Sequence, residues 1–240
     1  IVSIQAAHSD DQTILEEALF LPEALRRVQD PADERGERRF RCRFSGETSI
    51  RYEAIIDNGR REALRPGLRA HDWIDLPAPA LQYLTASRYC PSDLFGRFAQ
   101  REFGALEGSG AVLAVLDWIY THVDYTPGVS NAETTAQRTF VDRAGVCRDF
   151  AHLGITLCRA LSIPARAVSA YALDLDPPDF HAVFEVYLEG RWWLADATRL
   201  AEPKGMVRIG VGRDAADIAF LSTSGPCKLL SQDVRVERID

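Results

Sequence analysis

Residues 145–154 read Gly-Val-Cys-Arg-Asp-Phe-Ala-His-Leu-Gly, a glycine-led turn that runs directly into a helix with Cys147 in its first turn. A cysteine there faces unpaired backbone N–H groups and the positive end of the helix dipole, and both favour the thiolate. Cys147 is therefore a candidate nucleophile, although a free cysteine can equally be an inert small hydrophobic residue. The helix itself is predicted from apolar residues at the spacing of one buried face, namely Phe150, Gly154, Leu157, Cys158 and Leu161.

The composition limits the classes of partner. With 240 residues and 46% hydrophobic content, the chain can bury a core of ordinary size. The net charge of −7 argues against a general affinity for nucleic acid or for an anionic membrane, because both require a basic surface. We therefore expect neither partner.

The cysteine count indicates a compartment. Five cysteines, an odd number with no CxxC pair, favour neither a disulfide framework nor a compact zinc knuckle. The chain has no run of 18 apolar residues and no signal-peptide pattern at its start, although it begins at Ile rather than Met, so a trimmed leader stays open. We predict a reducing, cytoplasmic location.

The prolines between residues 74 and 93 indicate a linker. It divides the chain into a predicted module of residues 1–75 and a predicted core of residues 76–240. The module is expected to be β-rich, because apolar residues alternate in 40–44 and again in 50–56 around a turn at Ser45-Gly46-Glu47, the pattern of a hairpin.

The core is predicted to be α+β, with helices packed on an antiparallel sheet. Helices are expected from Ser92, after Gly108, over 132–143 and from Cys147. After Pro164 the hydrophobic period changes from 3.6 to 2, which predicts strands. Their ranges are 165–172, 181–188 and 191–196, with two short candidates at 207–211 and 234–238.

A histidine and an aspartate are brought together by the predicted register of two of these strands. If Glu189-Gly190 forms a two-residue hairpin turn, Leu188 pairs with Arg191. His181 then lies opposite Thr198, with Asp196 as its diagonal neighbour within hydrogen-bonding reach. A three-residue loop would instead turn Asp196 to the other face of the sheet. The candidate site is therefore Cys147, His181 and Asp196, the arrangement of a thiol nucleophile with an oriented base.

A metal site is the rival interpretation, with Cys147, His152, Cys158 and His181 as ligands. On one helix, however, Cys147 and Cys158 stand about 16 Å apart at 1.5 Å per residue. One zinc ion cannot join them. We expect no metal and no cofactor, and we expect His152 to pack on another face of the helix.

These residues carry a family resemblance from Thr139 to Thr198. The motifs are Gly-Val-Cys-Arg-Asp-Phe-Ala-His (145–152), Leu-Ser-Ile-Pro-Ala-Arg (161–166), His-Ala-Val-Phe-Glu-Val-Tyr (181–187) and Trp-Trp-Leu-Ala-Asp-Ala-Thr (192–198). In motif, order and spacing the chain resembles the bacterial transglutaminase-like superfamily. The resemblance implies a papain-like core in which Cys147 is the nucleophile, His181 the general base and acid, and Asp196 the residue that orients it. Val183 and Ala197 depart from the family pattern, where an aromatic residue and a proline are common.

The resemblance implies thiol acyl chemistry through a thioester, on a protein or peptide substrate. Hydrolysis by a cysteine protease is favoured over transglutaminase-type transfer from glutamine to an amine, since no acidic loop has calcium-ligand spacing. A non-catalytic module that binds peptide or protein is the alternative from another class. The Cys147 N–H is the expected oxyanion donor, Trp118 and Gln137 are candidates for the second donor, and the oligomeric state stays open.

Overall fold

Two separate antiparallel strand pairs occupy the first 57 residues in a computed structural model that describes residues 1–239. Strand β1 (Thr13–Phe20) pairs with β4 (Arg51–Asp57), and β2 (Arg26–Gln29) pairs with β3 (Phe40–Arg43). The region is β-rich, as predicted.

The predicted hairpin between residues 40–44 and 50–56 is wrong, because β3 and β4 have other partners. The hairpin turn of this region lies within residues 30–39, between β2 and β3. There the Asp33 carboxylate accepts the backbone N–H groups of Arg35 and Glu37, at 2.9 Å each. Gly36 adopts a φ of +77°, and a Cβ at this position would lie 1.8 Å from the carbonyl oxygen of His8. This tight turn, closed against the amino-terminal segment, sets β2 beside β3.

Helices and two short strands make up the middle of the chain. The predicted helices are confirmed, although the one expected from Ser92 begins at Gly96 after a single 3₁₀ turn, and the one expected over 132–143 is shorter. Two strands of two residues each, one before and one after the fourth helix, pair in parallel. In chain order the elements are α1 (Ala78–Leu81), α2 (Gly96–Phe103), α3 (Gly108–His122), β5 (Asp124–Tyr125), α4 (Ala136–Asp142), β6 (Ala144–Gly145) and α5 (Cys147–Ala160).

A four-stranded antiparallel sheet follows, which gives the α+β architecture that the sequence predicts. Its strands are β7 (Ala165–Ala172), β8 (Phe180–Leu188), β9 (Arg191–Ala195) and β10 (Met206–Gly212), in the spatial order β10-β7-β8-β9. The predicted strand over 207–211 is confirmed as β10. Residues 234–238 form no strand in the described chain, so that prediction is wrong; Val234 is buried there without a sheet partner.

Helix α5 packs directly on β7 and β8 and is buried from Asp149 to Arg159. The closest approach is at Gly154, where an added Cβ would lie 2.5 Å from Cε1 of Phe184. The glycine therefore lets the helix backbone approach the sheet, and Phe184 fills the space. The helix ends at Ala160. Ser162, two residues further on, adopts a left-handed φ of 64°, and the Ile163 N–H bonds to the Cys158 carbonyl.

Glu185, which follows Phe184 in β8, lies in a buried cluster of charges. Glu185 is fully buried, and its carboxylate accepts hydrogen bonds from Arg166 Nε at 2.7 Å and from Arg208 Nε at 2.9 Å. Arg208 also binds Asp11 at 2.8 Å, and Asp11 binds Arg61 at 2.7 Å. Through these ion pairs the amino-terminal segment is held on the sheet. The division of the chain at residue 75 stays a prediction.

None of the helices in residues 1–239 is long and apolar enough to cross a membrane.

Replacing Gly154 by alanine should destabilise the protein by about 1–3 kcal/mol, because the new methyl group overpacks against Phe184. Gly110 in α3 is the matched control, since nothing lies within 4 Å of a Cβ added there. Gly110→Ala should stabilise the protein by about 0.5–1 kcal/mol through helix propensity. Urea unfolding measures both changes; stabilisation by Gly154→Ala would contradict the close approach.

Replacing Glu185 by glutamine should lower the free energy of unfolding by about 3–5 kcal/mol, because the buried Arg208 then keeps only Asp11 as a counter-charge and the partly buried Arg166 loses its carboxylate partner. Glu53→Gln, in an exposed pair with Arg51, is the control and should change stability by less than about 0.5 kcal/mol.

The buried carboxylate of Glu185 also predicts how the free energy of unfolding depends on pH. Burial raises the pKa of Glu185, but the charges of Arg208 and Arg166 outweigh it, so the pKa in the folded protein is lowered. Its contribution to stability is therefore complete above the unfolded carboxyl's pKa of about 4.3 and is lost as the pH falls below it. The stability difference between the parent and Glu185→Gln should shrink in acid.

Candidate active site

The turn before α5 fixes the start of the helix at Cys147. The Asp149 carboxylate accepts the Val146 N–H at 3.0 Å, and the Asp149 N–H bonds to the Val146 carbonyl at 2.8 Å. A Cβ at Gly145 would come within 2.8 Å of Asp149 Cβ, so only glycine fits the turn against this cap. The cap keeps Cys147 in the first turn, where its backbone N–H lies at the positive end of the helix.

The predicted hairpin register is confirmed. Glu189 and Gly190 both have positive φ, 49° and 82°, as a two-residue type I′ turn requires, and Leu188 pairs with Arg191. The ladder continues in this register until Phe184 pairs with Ala195.

Just beyond that point the structure brings His181 and Asp196 together. Nε2 of His181 lies 2.8 Å from Oδ2 of Asp196, and the two side chains are 1% and 3% exposed. The pair is therefore nearly dry, where a charge-assisted hydrogen bond is strong.

Cys147 lies beside the same imidazole. Burial lowers the pKa of His181, but hydrogen bonds to Asp196 and Cys147, together with their charges, outweigh it and raise the pKa to about 9. Because Nε2 of His181 is bonded to Asp196, Nδ1 is the ring nitrogen left for Cys147. The structure therefore brings together all three residues that the sequence selected, and their chemical roles stay predictions.

Tyr125 also lies against Cys147, which the sequence did not indicate. Burial raises the pKa of Tyr125, and the neighbouring sulfur and backbone of Cys147 also influence it. The short parallel pair β5–β6 causes this placement, since it sets Tyr125 beside Gly145. Of the two residues suggested as the second oxyanion donor, Trp118 stacks between His122 and Phe140, and Gln137 is exposed on α4.

The remaining cysteines and His152 have other surroundings. Cys90 and Cys158 are fully buried, and burial raises the pKa of each thiol to about 12. His152 stacks on Tyr89 with 5.1 Å between ring centres, its Nε2 accepts the Ala215 N–H at 3.1 Å, and burial lowers its pKa to about 4. His152 therefore packs on another face of α5, as predicted. No group of three or more potential metal ligands occurs among the described residues.

Comparison with known proteins agrees with this fold. Residues 98–197 match the model of the transglutaminase-like superfamily. Over 193 residues the chain is 30% identical to the uncharacterized protein ML0607 of Mycobacterium leprae, covering 73% of this chain and 67% of that protein. The crystal structure of a putative cysteine protease from Cytophaga hutchinsonii is similar with a TM-score of 0.85 and 38% identity, covering 100% of this chain and 87% of that one.

The fold is shared more distantly by the ethylmercury-bound periplasmic domain of TgpA from Pseudomonas aeruginosa, with a TM-score of 0.50 and 18% identity over 85% of this chain and 78% of that one. Together the helix, the sheet and these matches define a papain-like α+β protein. The chain belongs to the transglutaminase-like superfamily.

The geometry predicts selective alkylation. Cys147 should react with iodoacetamide faster than the other four cysteines below about pH 7, where ordinary thiols are protonated. His181→Ala should slow this reaction, because the imidazolium that stabilises the thiolate is gone. Mass spectrometry at each cysteine from pH 5 to 10 measures the effect. Equal reactivity of Cys147 and the exposed Cys227, or no effect of His181→Ala, would contradict the thiolate–imidazolium pair.

Proposed function

We propose that the chain is a cysteine-dependent hydrolase of peptide or carboxamide bonds that acts through Cys147, His181 and Asp196. One observation carries the proposal: a buried His181–Asp196 pair, 2.8 Å apart, lies next to a cysteine at a helix start. The opposed effects of burial and charged neighbours on the pKa of His181 are typical of functional sites.

The first half of the reaction forms a thioester. The Cys147 sulfur attacks the carbonyl carbon, and the C–N bond breaks as the Nδ1 proton of His181 moves to the leaving amine. The proposed donors to the developing oxyanion are the Cys147 N–H, at the helix start, and the hydroxyl of Tyr125, which neighbours Cys147. Asp196 holds the ring through Nε2 and stabilises the imidazolium without taking its proton.

The second half restores the enzyme. His181, now neutral, takes a proton from water, whose oxygen attacks the thioester carbon. The C–S bond breaks and the product leaves as a carboxylic acid. The proton taken from water stays on His181, so the thiolate–imidazolium pair of the first step is restored. An amine in place of water would give acyl transfer instead. Hydrolysis is preferred because the 38% identical Cytophaga hutchinsonii structure is of a putative cysteine protease.

A protein or peptide is the proposed substrate, in a cytoplasmic setting. The location is supported by the five free cysteines in the described chain, which include the exposed Cys227 and the half-buried Cys42. Residues 1–75 are proposed as an accessory module of the 76–240 core.

Replacing Cys147 by alanine should reduce hydrolysis of a pooled fluorogenic peptide-amide library at least about 1000-fold, since no other group can form the acyl intermediate. Cys227→Ala, at an exposed thiol, is the matched control and should retain parental activity. The second measurement is mass spectrometry of the parent protein, in which an acyl adduct of a library peptide on Cys147 should be detected.

The competing functions give different results in the same assays. Faster incorporation of an amine probe into glutamine peptides than release of any product acid would establish acyl transfer. Peptide binding that is unchanged in Cys147→Ala, with neither hydrolysis nor an adduct in the parent, would establish a non-catalytic binding module.

A further inference from the structure

The Asp196 carboxylate has two hydrogen-bonding neighbours, His181 and Thr198. The backbone N–H of Thr198 donates to Oδ1 of Asp196 at 2.8 Å, and its hydroxyl donates to the same oxygen at 2.7 Å. Oδ2, the other oxygen, lies 2.8 Å from Nε2 of His181. The two carboxylate oxygens are therefore divided: one is held by Thr198, and the other receives the imidazole.

The hydroxyl proton of Thr198 has a fixed direction. Oγ1 accepts the Leu200 N–H at 3.2 Å, so one of its lone pairs is occupied. An ionised carboxylate can only accept hydrogen bonds, so the hydroxyl must be the donor towards Asp196. Thr198 is 6% exposed, which leaves little room for water to replace this bond.

The segment that carries Thr198 is itself anchored to α3. Arg199 adopts a left-handed φ of 57°, and its guanidinium pairs with Asp117 and lies 4.3 Å from the ring centre of Tyr120. The turn after Asp196, whose backbone presents both donors of Thr198, therefore contacts α3 through Arg199.

We infer that Thr198 is a positioning residue whose hydroxyl holds the Asp196 carboxylate so that Oδ2 stays on Nε2 of His181. The inference rests on the proposed function of Cys147, His181 and Asp196. With the backbone N–H alone on Oδ1, the carboxylate can turn about its Cβ–Cγ bond and draw Oδ2 away from the ring. The imidazole then loses the partner that orients it and stabilises its charged form.

The consequence is specific to the thiolate–imidazolium pair. Below about pH 7 an ordinary thiol is protonated, so a thiolate in the proposed site would need the charged His181 beside it. At pH 9.5 an ordinary thiol, with a pKa of about 8.5, is ionised without such a partner. Loss of the hydroxyl should therefore matter at low pH and not at high pH, whereas simple damage to the fold would affect both.

The test compares Thr198→Val, which keeps the shape and removes the hydroxyl, with Thr198→Ser, which keeps the hydroxyl. Alkylation of Cys147 by iodoacetamide at pH 6.0 should be about tenfold slower in Thr198→Val, equal to the parent at pH 9.5, and restored in Thr198→Ser. Thr121→Val removes an exposed hydroxyl from α3 and should leave both rates unchanged. For peptide-amide hydrolysis, Thr198→Val should lower kcat about tenfold without changing KM.

Three results would overturn the inference: a parental rate for Thr198→Val at pH 6.0, an equal loss for Thr198→Ser and Thr198→Val, or an equal loss at both pH values. His181→Ala and Asp196→Asn are measured alongside. If His181→Ala leaves the rate at pH 6.0 unchanged, the proposed function itself fails. If both of these variants slow alkylation while Thr198→Val does not, only the role of Thr198 fails.

Discussion

The close contact between Gly154 and Phe184 sets the distance between helix α5, which carries Cys147, and strand β8, which carries His181. Cys147 belongs to a helix and His181 to a strand, so their separation depends on how deeply the helix lies on the sheet. A side chain at position 154 would push the helix away from Phe184 by the width of a methyl group. Hydrogen bonding between a sulfur and an imidazole does not tolerate such a shift. A packing contact in the core thus sets the geometry of a polar site at the surface of that core.

Strand β8 connects the site to the rest of the protein through successive residues. Phe184 faces α5, and Glu185 faces the arginines of the buried charge cluster. Near the strand's beginning, His181 meets Asp196 across the hairpin. Apolar packing, ion pairing and the site therefore constrain the same strand, so little of it can move independently.

Local signals explain what the sequence could predict. A glycine-led turn before Cys147 and a two-residue hairpin at Glu189-Gly190 leave the chain few conformations, so the helix start and the His181–Asp196 register follow from them. The position of Tyr125 beside Cys147 could not be predicted, because a two-residue parallel strand carries no periodic pattern. The predicted hairpin between residues 40–44 and 50–56 was wrong because half-exposed strands specify their partners weakly. The turn at Gly36, which sets β2 beside β3, depends on a close approach to His8 that the sequence does not reveal.

The ion pairs from Asp11 to Arg208 bear on what counts as an independent unit of this protein. Arg208 lies in β10 and Glu185 in β8, yet Arg208 is also bound by Asp11, which comes before the first strand. A fragment trimmed to the matched residues 98–197 would lack both β10 and this acidic partner. Glu185 would keep only Arg166, and a carboxylate now buried between two guanidinium groups would open to water. A piece that keeps this buried charge cluster complete is therefore larger than residues 98–197, the stretch that matches the family.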